Sequence, residues 1–421
     1  MDQIILPMNK NKLNFISLVL IQASNAVLPI IIFPYLLSVA GVDLYSKIAI
    51  AEIFSIVVLA IVIYGFEIDG VKKVVAALDD KDELSRIFSS IFFSRITLFV
   101  ASLSITPIVY LVYGYEVLLL TCFWLFVPLS YVFQNTYFFL AAEKNHPIAA
   151  LNIVSRFLAV ALILLFVKTV EESFYAPVII GACYLIGAIT TFFFLLYSFQ
   201  IKVKWVGLRE CFLNLNDSFH VFLSNASVLL YRDINVIILS LVIRDASVIS
   251  SYSLAEKFVK CFQAVFRPVS QYFFPKVVSS IRGSTKPDMF TFLKILKSVR
   301  IQILCFFAML FLLFMFDFVV SYSDKYYAYI NSYMFSTQLF FIMSFSILFG
   351  IPNFMLGSVG LNVLGYKRYF AGAVLATGLI NLTVCYMLST FFGAIGAAIS
   401  FVLAEVVLMI LVFMAYFRNV K

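Results

Sequence analysis

Apolar residues run through this chain in blocks of about twenty or more, separated by short polar breaks. Twelve blocks are predicted to be helices that cross a bilayer: roughly 14–38, 45–66, 88–110, 117–141, 148–168, 176–198, 219–242, 247–272, 298–320, 332–359, 369–390 and 393–417. A spanning helix needs about 20 apolar residues. Hydrocarbon leaves no partner for loose backbone polar groups, and the blocks are too long for barrel strands, so helices are the expected form. The first block exceeds the apolar core of a signal peptide and no small-residue cleavage site follows it. It is expected to stay in the mature protein.

Composition agrees. The chain is 63% hydrophobic and 12% charged over 421 residues, whereas a soluble domain is about 25% charged. The expected class is an all-α integral membrane protein. Lysine and arginine set its orientation. The N-terminus, loops 67–87, 142–147, 199–218, 273–297 and 360–368, the C-terminus and Arg300 hold 20 of the 30 basic residues. The opposite loops hold four, Lys47, Lys168, Arg244 and Lys325. Both termini are therefore expected in the cytoplasm. The net charge of +8 follows from this topology, and no nucleic-acid signal accompanies it. Six scattered cysteines suggest neither a disulfide framework nor a zinc site.

A weak internal repeat is visible. Ala51-Glu52-Ile53-Phe54 matches Ala255-Glu256-Lys257-Phe258 at an offset of 204, and Lys73-Val74-Val75 matches Lys276-Val277-Val278 at 203. The expectation is two six-helix halves, residues 1–205 and 206–421. An even number of spans per half makes the repeats parallel, a transporter architecture with its substrate site between the halves. The matching charged loops 67–87 and 276–297 read as short interfacial helices, the first as a solvated linker helix. Loops on the outer side are too short to fold into a domain.

The eighth block is the most informative. At 100° per residue, Tyr252, Glu256, Lys260, Gln263, Arg267 and Ser270 form one polar stripe ~80° wide and ~27 Å long. Lys257 lies off it, near the helix end, where it is expected to snorkel or meet a loop. Each charge at mid-bilayer costs about 2.5–3.5 kcal/mol on insertion scales, so such a stripe faces protein or a wet cavity. A structural ion pair between Glu256 and Lys260 explains one acid and one base. It leaves Arg267 as surplus positive charge suited to an anionic ligand. Arg95, Arg156 and Arg232 lie in other spans, with the acids Glu52, Asp233, Asp317 and Glu405. The candidate cationic cavity is thus Lys260, Arg267, Arg95, Arg156 and Arg232. Glu256, Asp233, Glu405, Glu52 and Asp317 are candidates for charge balance or for coupling to H+ or Na+. Prolines at 29, 34, 128, 268 and 352 bend spanning helices. Tyr322 to Tyr333 hold a tyrosine cluster expected to form an interfacial belt. No metal site, cofactor motif, phosphate loop or nucleophile–base set stands out, so no enzyme activity is expected.

Several stretches together resemble the Wzx flippases, the O-antigen and polysaccharide-unit exporters of the MOP superfamily. They are the run from Leu20 to Gly41 with Asn25, Pro29 and Pro34, Tyr64-Gly65-Phe66 before a basic helix, and Phe133 to Arg156 with Glu143-Lys144. Tyr252 to Pro275 and Pro352-Asn353 through Gly365-Tyr366 complete the set. Glu67 departs from the family, which often has a neutral residue there, and Arg232 adds a charge the family does not require. The resemblance implies a flippase that moves an undecaprenyl-pyrophosphate-linked oligosaccharide across the bacterial inner membrane by alternating access. Membrane lipid, a polymerase and chain-length machinery are the implied partners. With such a cargo, Arg267 and Lys260 are expected to hold the pyrophosphate, helped by Arg95, Arg156 or Arg232. The alternatives are a multidrug or cation antiporter of the same superfamily and a membrane glycosyltransferase. The first would favour acids in its cavity; the second would carry a large outer loop.

Overall fold

In a computed structural model, residues 28–280, 287–321 and 334–417 are described. Side chains at 28, 29, 208, 224, 265–280, 298, 301, 305, 309, 312–321, 334 and 335 are outside that description. Those of Arg267, Pro268 and Asp317 are among them, and residues 322–333 with their tyrosines lie outside the described residues.

The chain divides into two compact units, Met1–Asn225 and Ala226–Lys421. In the first, a π turn, Leu28–Ile32, leads into α1 (Phe33–Ile63). There follow α2 (Phe66–Ala76), α3 (Lys81–Ser102), α4 (Thr106–Trp124), α5 (Phe126–Phe133), α6 (Thr136–Ala141), α7 (His146–Phe166), α8 (Val170–Ser173) and α9 (Ala176–Phe199). Helix α10 (Leu208–Arg232) contains the boundary between the units. The second unit continues with α11 (Asn235–Val242), α12 (Ala246–Ser280), α13 (Met289–Ser321), α14 (Met334–Pro352), a π segment (Asn353–Leu361) and α15 (Lys367–Phe417). Helix α9 packs on α5 and α7 in the first unit, and α14 on α12 and α15 in the second. The result is an all-α, multi-pass fold with internal pseudo-symmetry, in which the Ala-Glu repeat sits on a long helix of each unit, α1 and α12.

Six helical runs among the described residues are long and apolar enough to cross a membrane, or seven if the bent pair Arg209–Arg232 and Asn235–Val242 is one span. That is fewer than the twelve expected. Part of the shortfall is charge: Glu256, Lys257, Lys260 and Arg267 lie within α12, so it does not read as an apolar span. Part is merging of runs. The runs Ile30–Ala76, Lys81–Ala141 and Lys367–Phe417 hold 47, 61 and 51 residues. Fifty residues of straight helix would be ~75 Å long, well over the ~30 Å of hydrocarbon. Each run is broken at a glycine with positive φ: Gly41 (71°), Gly114 (81°) and Gly393 (62°). That conformation is costly for residues with a Cβ. All three breaks fall at or beside the short turns expected between consecutive blocks.

Helix α2 is the short helix expected in loop 67–87, but it is not solvated all round. Phe66, Gly70 and Val74 are buried at helical spacing, and a Cβ on Gly70 would lie 2.7 Å from the Tyr137 ring. In the matching loop of the second unit, α12 continues to Ser280 and α13 starts at Met289; residues 281–286 lie outside the described residues.

The segment between α9 and α10 is stitched to the first unit. Ser85 and Ser89, one turn apart on α3, donate to the carbonyls of Lys81 and Ser85. Their lone pairs accept the main-chain N–H of Lys202 (3.1 Å) and of Lys204 (2.9 Å). Two residues of extended chain thus match one turn of helix. Ion pairs reinforce this: Lys204–Asp82 at 2.8 Å, Arg86–Glu210 at 2.7 Å and Lys73–Asp217 at 3.2 Å. Such exposed pairs contribute little each, so the serine hydroxyls set the register. Ser85→Ala with Ser89→Ala removes both acceptors, about 1 kcal/mol each. Amides 202 and 204 should then exchange with deuterium several-fold faster while α9 amides do not change.

Candidate functional site

Buried polar groups gather in two places, one in each unit. In the first unit the chain unwinds between α5 and α6, where Gln134 adopts φ −80°, ψ 105°. Unwinding frees main-chain carbonyls that need donors. Arg95, wholly buried on α3, supplies them: its Nη1 donates to the carbonyls of Tyr131 (3.1 Å) and Gln134 (2.9 Å). Its Nη2 donates to Glu67 at 2.7 Å. The Tyr137 ring lies 5.4 Å from the guanidinium. Glu67, the residue that departs from the Wzx pattern, is therefore the counter-charge of Arg95.

Beyond Gln134 the polar path continues. The Gln134 side-chain amide donates to Asn152 Oδ1 at 2.9 Å. Asn152 is one turn before Arg156 on α7, and Arg156 Nη1 donates to the Asn152 carbonyl at 3.3 Å. The Arg156 guanidinium lies over the Tyr184 ring of α9 at 4.9 Å. Arg156 is 6% exposed. Glu52 on α1 is within electrostatic reach of Tyr184.

In the second unit the chain breaks between α10 and α11 at Asp233 and Ile234. Asp233 accepts from Lys260 Nζ at 2.5 Å, and Lys260 also pairs with Glu256, one turn earlier on α12. Lys260 thus bridges two carboxylates from two helical segments. Asp233 adds a second acid beside Lys260; Arg267, the surplus positive charge read from α12, has its side chain outside the described residues. Lys257 is buried rather than snorkelling. Glu405 on α15 is 4% exposed. Its Oε2 and its main-chain carbonyl accept from Asn353 Nδ2 at 2.8 and 2.9 Å. Pro352, which has no N–H, ends the regular helix just before Asn353 and starts the π segment that presents it. Arg232 is within electrostatic reach of Glu405, Asp233 and Glu256. Asn381 Nδ2 donates to Asn235 Oδ1 at 2.8 Å. Among the described residues no three of His, Cys, Asp and Glu come together as a metal site would require.

Sequence reasoning singled out the charged members of these clusters. It missed their neutral partners, Asn353, Asn235, Asn381, Gln134 and Asn152, and the pairing role of Glu67. Charge inside a span announces itself, but an amide does not. The one available signal for Asn353 was its place after Pro352 in a spanning block.

The family described as "Polysaccharide biosynthesis protein" matches residues 12–280. The chain belongs to this family. The chain is 27% identical over 421 residues to a protein of Escherichia coli (strain K12) named "Putative O-antigen transporter", covering 98% of this chain and 99% of that one. A protein of the same name from Shigella dysenteriae is 22% identical over 276 residues, 65% of this chain and 68% of that one. Among solved structures, the lipid II flippase MurJ in an inward closed conformation matches with TM-score 0.63 at 14% identity, covering 96% of this chain and 86% of that chain. An inward-facing multidrug resistance MATE family transporter of the MOP superfamily matches with TM-score 0.62 at 13% identity, covering 98% and 94%. The fold is that of the MOP-superfamily transporters, and the relatives are transporters, not enzymes.

Proposed function

We propose that this chain carries a polyprenyl-pyrophosphate-linked oligosaccharide across the bacterial inner membrane by alternating access. The observation that carries the reading is the end-to-end likeness to a protein named as an O-antigen transporter, within a family described by polysaccharide biosynthesis. The chemistry supports it. A cargo with an anionic, sugar-bearing head needs buried donors, and its lipid tail needs none. In this reading the termini are cytoplasmic, and the halves 1–205 and 206–421 act as the two moving bodies. Lys260, Arg267, Arg156 and Arg232 supply positive charge, Arg95 being taken up by Glu67 and two main-chain carbonyls, while Glu256, Asp233, Glu405, Glu52 and Asp317 balance it or couple transport to H+ or Na+.

A second reading, a multidrug or cation antiporter of the same superfamily, has observations of its own. Multidrug MATE transporters recur among the solved structures that share this fold, and fold likeness backs this reading more strongly than the first. The described acids of the second unit, with Lys260 already held between two carboxylates, also suit a cation.

Deleting the gene separates the two. Loss of surface polysaccharide, with lipid-linked repeat units accumulating on the cytoplasmic side, is the expected result. Normal polysaccharide with altered drug tolerance would overturn the oligosaccharide reading in favour of the antiporter.

A further inference from the structure

The strap that joins α9 to α10 has two edges, and only one of them is used. Gln200 turns the chain out of α9 in a left-handed conformation, φ 55° and ψ 38°, and its side chain accepts from Lys81 Nζ at 2.6 Å. From there the strap runs along α3, with Ile201 and Val206 buried at its two ends. The N–H groups of Lys202 and Lys204 go to Ser85 and Ser89. In extended chain, successive N–H groups point to opposite edges. Those of Val203 and Trp205 therefore face away from α3, and among the described residues they have no acceptor.

The side chains show what lies along that open edge. Trp205 is 85% exposed, and Val203 beside it is exposed too. The Trp205 ring meets Phe93 of α3 edge to face at 4.9 Å. Arg86, Phe93 and Val100 follow one another on one face of α3, seven residues apart, and seven residues of helix rise ~10 Å. Arg86 and Val100 are both exposed, so charge gives way to apolar surface along this face, and Trp205 sits at the change. A membrane protein places tryptophan at this level, between headgroups and hydrocarbon. Unpaired N–H groups are not tolerated in hydrocarbon, but headgroup oxygens can accept from them. Four exposed bases flank the strap: Arg86, Lys202, Lys204 and Arg209. Glu210 and Asp82 pair with Arg86 and Lys204. Lys202 is within electrostatic reach of Asp82, yet among the described residues neither Lys202 nor Arg209 forms an ion pair.

We propose that this strap binds an anionic phospholipid of the surrounding membrane. The N–H groups of Val203 and Trp205, with Lys202 and Arg209, hold the headgroup, while the Trp205 and Val203 side chains lie against the first carbons of the acyl chains. The two N–H groups are ~7 Å apart along extended chain. That is wider than one phosphate, so they suit a headgroup with acceptors beyond its phosphate, as a phosphoglycerol has. The bound lipid fastens the outer edge of the strap as the serines fasten the inner one. The site does not depend on which cargo is carried.

The test places the full-length protein in nanodiscs of phosphatidylcholine and phosphatidylglycerol, with one of the two brominated in its acyl chains. The chain has two tryptophans and Trp124 is buried, so subtracting the emission of a Trp205→Phe variant isolates Trp205. Brominated phosphatidylglycerol is expected to half-quench Trp205 at about fivefold lower fraction than brominated phosphatidylcholine, the enrichment expected of one basic residue near the surface. Lys202→Gln with Arg209→Gln should bring the two lipids level. The amides of Val203 and Trp205 should exchange with deuterium several-fold more slowly when phosphatidylglycerol is present, while those of Lys202 and Lys204 do not change. Equal quenching of the wild type by the two lipids, or Trp205 emission that neither lipid quenches, overturns the site. Protection of amides 203 and 205 in native membranes that disappears in discs of the same lipids also overturns it, because a strand of a partner protein would then be the occupant.

Discussion

Lys260→Met is expected to abolish transport and to lower stability by about 3–5 kcal/mol, the usual result of taking one partner from a buried ion pair. The ammonium sits between Asp233 and Glu256, whose side chains are 16% and 3% exposed. Without it two carboxylates face each other in a poorly hydrated place. The triple variant Lys260→Met, Asp233→Asn, Glu256→Gln removes all three charges. It should recover most of the lost stability, because neutral groups of similar size often replace a buried ion network at little cost. Transport should not return with it. Thermal melting in detergent reads the first quantity and repeat-unit export in cells the second. A single variant that melts like wild type would mean that Lys260 does not bridge the two acids.

Arg95→Met is expected to cost about 2–4 kcal/mol, since two main-chain carbonyls lose their donors at roughly 1–3 kcal/mol each. Transport should fall in proportion to the folded protein that remains. Arg95 fastens the unwound stretch between α5 and α6 to α3, and through Glu67 to α2. Its loss is a loss of fold, and transport per folded molecule should stay near wild type. An Arg95→Met variant that melts normally but exports nothing would instead return Arg95 to direct work on the cargo.

Much of this was legible in the sequence. Apolar blocks found the helices, and polar breaks found the turns at Gly41, Gly114 and Gly393. A helical wheel placed Glu256 and Lys260 on one face, and they do pair. A wheel describes one helix, however, and is silent on what faces it. Asp233 is 27 residues from Lys260, Glu67 is 28 from Arg95 and Asn353 is 52 from Glu405. Each pairing depends on how separate helices pack, which no local pattern encodes. Counting charges along α12 alone therefore left out Asp233, the second acid that Lys260 meets. The three longest helical runs each take in two of the expected blocks, and Gly41, Gly114 and Gly393 break them where the polar breaks fall.

The serine stitches on α3 bear on how the protein is made. By residue 217 the connecting segment has found its hydrogen bonds and ion pairs within chain already synthesised. Among the described residues, these bonds all lie within the first unit. As the nascent chain leaves the ribosome, the first half can be sealed at its exit before the next hydrophobic block arrives. That order would spare the membrane a half-finished protein with an open polar edge.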